Sequence, residues 1–249
     1  MMQKQRTGAF TLVELLVVMA IMGVLAGLMI PVLGSARASA RDTQCLGNLR
    51  NIGTAMMMYI GVYNDHIPPC GGQGSDTFYL PWYYSLLPYN DDWGIYECPA
   101  KATTMEDVPE LTEDWQPIED RPYHAVNYGM NFQFPGTSPE KDLMGDTIQT
   151  TMLISVSEVL IIADGAHFPA GTEVSELDGD NELPDSVMYG GLYFSDTLQE
   201  GQPTVSPRHR GQTMCLFLDG SVKHLLTRDI FAIGWGLPGC VYDGTLHEF

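Results

Sequence analysis

The sequence predicts an α+β chain: a long N-terminal helix packed against an antiparallel β-sheet with large loop insertions. Three observations predict it. Residues 10–30 form an apolar run carrying a single charge, and helical periodicity continues beyond it to residue 63. Two later stretches, 123–134 and 157–164, are rich in the aromatic and β-branched residues that favour strands. Near the C-terminus, Asp219-Gly220 separates apolar runs at 213–218 and 221–226, a strong two-residue hairpin signal.

As a helix, residues 10–30 span roughly 31 Å, about the thickness of a bilayer core. A secretory signal peptide would be shorter in its apolar part and would end at a small-x-small site, which 34–36 and 38–40 imitate. A plain transmembrane anchor is the second reading. Neither accounts for Glu14, because an acid at mid-membrane costs about 2.5–3.5 kcal/mol and calls for a partner.

Beyond Pro31 the helix continues. Cys45, Leu49, Ile52, Met56, Tyr59 and Tyr63 recur at spacings of three and four and form one apolar stripe. Arg37, Arg41, Arg50 and Asn51 fall on other faces, and Met56 to Met58 read as core filler rather than a soft-metal site. Asn64-Asp65 and then Pro68-Pro69 end it, giving one helix of about 50 residues. Residues 64–249 form the α+β domain. Within it, 71–76 is a loop, 80–89 a short apolar element and 105–120 an acidic, Pro-punctuated insertion. Gly129 suggests a bulge or close packing in the first strand. The second strand ends at Asp164-Gly165, and 171–186 is a polar loop. In the hairpin at 209–226, Met214, Leu216 and Leu218 share one face, and Cys215 and Phe217 the other.

The chain carries a formal charge of −19, unevenly spread. Residues 64–249 hold 29 of the 31 acids but seven of the 12 basic residues. Such a domain repels phosphate backbones, which argues against nucleic-acid binding. It suits a solvated extracytoplasmic surface or a divalent cation. Asp178, Asp180 and Glu182, with Asp185 near, form a candidate calcium site without the EF-hand pattern; a solvated acidic loop is the alternative, and no other cofactor is expected. The five cysteines, at 45, 70, 98, 215 and 240, include no C-x-x-C pair, which disfavours a structural zinc site. In an oxidising compartment one or two disulfides are expected, with at least one thiol left free or paired between chains.

The N-terminal segment resembles the prepilins, meaning type IV pilins and type II secretion pseudopilins. The carriers are the basic leader residues Lys4 and Arg6, the small residues Gly8-Ala9, and then Phe10-Thr11-Leu12-Val13-Glu14 opening the apolar helix. The resemblance implies a leader at 1–9, cleavage between Ala9 and Phe10 by a prepilin peptidase, and N-methylation of Phe10. Cleavage between Gly8 and Ala9 is the alternative, since the family more often has Gly directly before the cut. It implies an assembly and transmembrane helix over 10–31, an amphipathic continuation over 32–63, a pilin-like fold, and Pro31 at the position of a common kink. Glu14 would pair with the α-amino group of a neighbouring subunit, which relieves the cost of an acid in lipid. Expected partners are the membrane, like subunits through this helix, the peptidase and secretion or pilus platform proteins. The expected location is the bacterial inner membrane, single-pass, with the C-terminal domain periplasmic or at the cell surface after assembly.

Large prepilin-like proteins supply three further likenesses. Cys45, Asn48, Leu49, Arg50, Ile52 and Gly53 match a C-x-x-N-L-R-x-I-G helix segment, residues 98–101 match a Cys-Pro element, and 128–131 match a Tyr-Gly-Met-Asn element. A Cys45–Cys98 disulfide is what the first two imply. His209, nine residues, then Asp219-Gly220 resembles a His-x9-Asp-Gly C-terminal signature. His209 is read either as structural, bonding the backbone or Asp219, or as a ligand or interaction residue. The Gly234–Gly239 match to G-x-G-x-x-G contains Pro238 and opens no helix. No catalytic motif is present, so the chain is read as a non-enzyme: a pseudopilin-like subunit or, alternatively, a tethered glycan- or calcium-binding module.

Overall fold

A computed structural model describes residues 11–68, 82–101, 126–131, 150, 157, 159–167, 171–177, 191–192, 203–233, 241–242 and 245–246. The chain divides into two units, Met1–Ala40 and Arg41–Phe249. In the first, helix α1 (Leu12–Val62) begins, and it runs on through Pro31 without interruption. Its apolar side chains are exposed all round, from Leu12, Val13 and Leu15 to Val32 and Leu33. A helix apolar on every face has no side suited to water and is made for lipid or for other helices.

From residue 41 onward α1 belongs to the folded domain. Cys45, Asn48, Leu49, Ile52, Gly53, Ala55, Met56, Tyr59 and Ile60 are buried. Tyr63, expected in the stripe, is instead half exposed and stacks on Tyr59 with ring centroids 4.2 Å apart. Its N–H still bonds the Tyr59 carbonyl at 3.0 Å, so it keeps to the stripe's side of the helix but ends half exposed at the helix terminus. Met57 and Met58 also face outward, and Met56 alone of the three is core. The helix stops as Asn64 and Asp65 take positive φ, and Asp65 N–H reaches back to the Ile60 carbonyl at 3.0 Å, the long bond of a Schellman end.

Helix α2 (Trp82–Leu86) and a single 3-10 turn (Trp93–Tyr96) pack an aromatic group against the core. The main sheet runs in the order β3-β1-β2-β5-β6, from β1 (Tyr128–Asn131), β2 (Leu160–His167), β3 (Gly191–Leu192), β5 (Gln212–Phe217) and β6 (Val222–Leu226). Strand β4 (Pro203–Val205) pairs with the far end of β2. All pairs are antiparallel except β1 with β3. Helix α3 (Thr227–Ile233) follows β6, and a short pair, β7 (Val241–Tyr242) and β8 (Thr245–Leu246), stands apart. The α+β expectation holds: a long N-terminal helix precedes a mainly antiparallel sheet, and their buried side chains share one core.

Several local expectations differ. Strand β2 does not end at Asp164-Gly165 but continues to His167, because β4 supplies a new partner for Gly165, Ala166 and His167. Of the bulge or close packing expected at Gly129, the bulge is absent: Gly129 is buried and pairs regularly with Ala163, and the irregularity lies between Leu160 and Ile162 opposite β5. Both faces of β5 are buried, the one with Met214 and Leu216 and the one with Cys215 and Phe217 alike. The β5–β6 turn has three residues, not two. Phe217 N–H bonds the Ser221 carbonyl at 2.8 Å, and Gly220 N–H bonds the Phe217 carbonyl at 2.9 Å. Gly220 has φ +80°, whereas Asp219 stays at negative φ, so the two-residue form that needs both positive is ruled out.

Gly53 marks where α1 comes closest to this hairpin: a Cβ there would lie 2.9 Å from Leu216 Cδ1 and 3.7 Å from the Gly220 backbone. Gly53→Leu is therefore expected to destabilise the domain by about 1–3 kcal/mol through overpacking. Gly53→Ala should be near neutral, because better helix propensity offsets a displaced leucine methyl. Denaturant midpoints of the two variants check this, and a Leu variant as stable as the parent would contradict it.

Candidate functional site

Thr11 directly precedes the first helical residue, and three positions on stands Glu14. The Glu14 Oε2 accepts from Thr11 N–H at 2.8 Å and from Thr11 Oγ1 at 2.7 Å, while Glu14 N–H lies 3.3 Å from Thr11 Oγ1. This is a reciprocal capping box, so Glu14 ties down the start of the helix within its own chain. Ala9 and Phe10 lie outside the described residues.

A second constellation lies inside the domain. Cys45 comes from α1 and Cys98 from the turn after Tyr96. Asp164 comes from β2 and His209 from the residue bridge that precedes β5. All four are buried, and one ligand atom from each lies within 4.8 Å of the others. The sulfurs of Cys45 and Cys98 are 2.6 Å apart, and both cysteines are free thiols. His209 Nε2 is 3.4 Å from Cys98 Sγ and 3.1 Å from Asp164 Oδ2. On the other side of the ring, Nδ1 is 2.8 Å from Asp42 Oδ1, and Arg210 Nε stands 3.5 Å from Asp42 Oδ2.

Local structure holds each member. Cys98 N–H donates to the Asn127 side chain at 2.9 Å, and the Asn48 amide donates to the Glu97 carbonyl at 2.8 Å. Asp164 faces Tyr128 in the β1 register, and its Oδ2 accepts the Met214 N–H at 3.1 Å, taking the place of a ladder acceptor. Its Oδ1 has no hydrogen-bond partner among the described residues. His209 is fixed by a tight turn. Its N–H and C=O both bond Gln212 at 3.1 Å, and the two residues between, Arg210 and Gly211, both have positive φ. The two-residue primed turn expected at Asp219-Gly220 is therefore found here.

The electrostatics follow from burial. Desolvation alone would pull His209 down. Hydrogen bonds to Asp164 and Cys98, with the charge of Asp164, outweigh it and push the imidazole up to about 11. Burial pushes the Cys98 thiol well up, and the Cys45 and Asp164 contacts add to this. The order Cys98, His209, Asp42 has the connectivity of a nucleophilic cysteine system. Its thiol is nonetheless shifted the opposite way from an activated one, which needs an electropositive, partly open setting.

Asp219 does not meet His209. It is exposed at the β5–β6 turn, where its Oδ1 accepts the Ser221 N–H at 2.8 Å, and His209 bonds Asp42 and Asp164 instead. Asp178, Asp180, Glu182 and Asp185 lie outside the described residues. Cys45, Cys98 and His209 were singled out by motif. Asp42 and Asp164 were not, since an acid in a helix and one closing a strand carry no signal of burial.

Residues 4–30 match the prokaryotic N-terminal methylation motif. The chain thus carries a prepilin-type N-terminus, and a long apolar helix there fits a membrane-anchored, single-pass protein with pilin-like assembly. Residues 34–125 match a family described as a protein of unknown function (DUF1559). That window contains Asp42, Cys45 and Cys98, while Asp164 and His209 lie beyond it. No curated protein and no solved structure matches the chain.

Proposed function

We propose that this chain is a pseudopilin-like structural subunit of a type II secretion or type IV pilus-like assembly. The observation that carries the reading is a methylation motif placed on a helix whose first half exposes apolar side chains on every face. The leader is cut between Ala9 and Phe10 on the cytoplasmic side, and the new amino group of Phe10 is methylated. The remainder of the chain is held periplasmic or at the surface. In the assembled state the exposed helices bury one another, and Glu14 exchanges part of its capping contact with Thr11 for the ammonium of a neighbour's Phe10.

Two measurements test this. Mass spectrometry of the mature protein should find methylated Phe10 as the first residue; an intact Met1, or a start near residues 36–41, would reject the processing. Glu14→Ala should be processed normally yet lose at least about tenfold in filament incorporation, about 1.4 kcal/mol or more of contact energy. Normal incorporation of the variant would remove Glu14 from assembly. The size of the domain favours the second reading, a tethered extracytoplasmic binding module. Crosslinking in membranes separates them, because ordered helix–helix adducts belong to a fibre and isolated monomers to a tether.

A further inference from the structure

We infer that Cys45, Cys98, Asp164 and His209 form a tetrahedral site for a divalent, borderline-soft metal ion, zinc being the best fit. Thiolates, imidazole and carboxylate are all ligand types that zinc takes, and four protein donors make a closed site. The four donors come from separate parts of the domain and converge in a buried space within 4.8 Å. Three features point to a cation rather than to hydrogen bonding alone. The buried Oδ1 of Asp164 has no hydrogen-bond partner among the described residues. His209 Nε2 stands 3.4 Å from Cys98 Sγ, close to the N–S edge of a zinc tetrahedron, about 3.5 Å, and 3.1 Å from the other oxygen of Asp164, Oδ2, which the Met214 N–H occupies. Its Nδ1 sits 2.8 Å from Asp42, the outer carboxylate that commonly orients a metal-bound histidine.

The sulfurs are the part that must move. At 2.6 Å they are closer than in a tetrahedral site, where legs of about 2.3 Å place them about 3.8 Å apart. A Cys45–Cys98 disulfide is the competing outcome. It would join the sulfurs but leave the Asp164 oxygen unmatched and give Nε2 no ligand role. On loading, the ion replaces the two thiol protons and the Nε2 proton, and the proton on Nδ1 stays there, donated to Asp42 Oδ1. The ion would clamp α1 to the sheet from inside. The site is independent of the assembly reading, because it lies wholly within the folded domain.

The test uses the full-length chain in detergent, isolated without added reductant and analysed by native mass spectrometry and elemental analysis. One zinc per chain with both cysteines reduced supports the site. A Cys45–Cys98 disulfide with no metal overturns it. Replacement by Co(II) should produce thiolate-to-metal charge-transfer absorption in the parent, and its absence also overturns the site. Asp42→Asn should weaken zinc about 10–100-fold while keeping one equivalent at saturation. Unchanged affinity would remove Asp42 from the site, and with it the orienting contact on which the geometry rests. The parent measurements stand even if Cys45→Ser or His209→Ala fails to fold.

Discussion

Trp82→Ala is expected to cost the domain about 3–5 kcal/mol, among the largest losses available to a single core truncation. Trp82 is fully buried and meets both Tyr83, at 5.7 Å, and Tyr96, at 5.8 Å, edge-on. Both neighbours are themselves fully buried. Helix α2 has five residues, too short to hold its place by its own hydrogen bonds, so its buried side chains seat it, and the indole is the largest of them. A cavity there cannot close without moving the rings around it. Trp93→Ala makes the internal comparison. Its ring touches Tyr83, Tyr84 and Tyr96 but is half-buried, so a smaller loss is expected. Urea unfolding of the full chain in detergent, followed by circular dichroism, measures both. A Trp82 loss below about 1 kcal/mol, or one smaller than that of Trp93, would show that this aromatic group is not part of the cooperative core.

Asp164→Ala should be comparably severe, about 3–5 kcal/mol, because it removes one partner of a buried charged pair. The side chains of Asp164 and His209 are both fully buried, and Asp164 also satisfies the Met214 N–H. Without it, a buried imidazole and a buried backbone donor both lose an acceptor. Asp42→Asn should cost far less, about 1 kcal/mol, since an amide keeps an oxygen for Nδ1 and the Asp42 side chain is 21% exposed. The comparison is made with a chelator present, so that bound metal does not enter. If Asp42→Asn proves the more damaging of the two, the burial of Asp164 does not control the fold.

Much of the scaffold is legible in one dimension. Helical spacing from Cys45 to Tyr59 names residues that α1 does bury, and the Asn64-Asp65 stop coincides with the two positive-φ residues that end it. The misses share a cause. Tyr63 keeps the stripe's direction, stacked on Tyr59, but stands half exposed at the helix end. Strand β2 runs past Asp164 because β4, nearly 40 residues later, offers a partner that local composition cannot announce. Asp219-Gly220 looked like a two-residue turn, yet such a turn falls at Arg210-Gly211, where the return of the chain to Gln212 selects it over a residue type that rarely takes positive φ.

A prepilin-type N-terminus, on a helix apolar enough to suit a membrane anchor, is legible from residue order alone. A 21-residue apolar run, an acid at a set place within it and a basic leader are local facts that need no fold to be meaningful. Which side chains meet at the centre of the domain is set by its folding. Cys45, Cys98, Asp164 and His209 are separated by dozens of residues and share no spacing pattern. They meet because α1 crosses β5 at Gly53, the 98 turn is tied to Asn127, and β2 and β5 are paired in register. Strand pairing and helix docking set distances between remote residues, and periodicity carries no record of them.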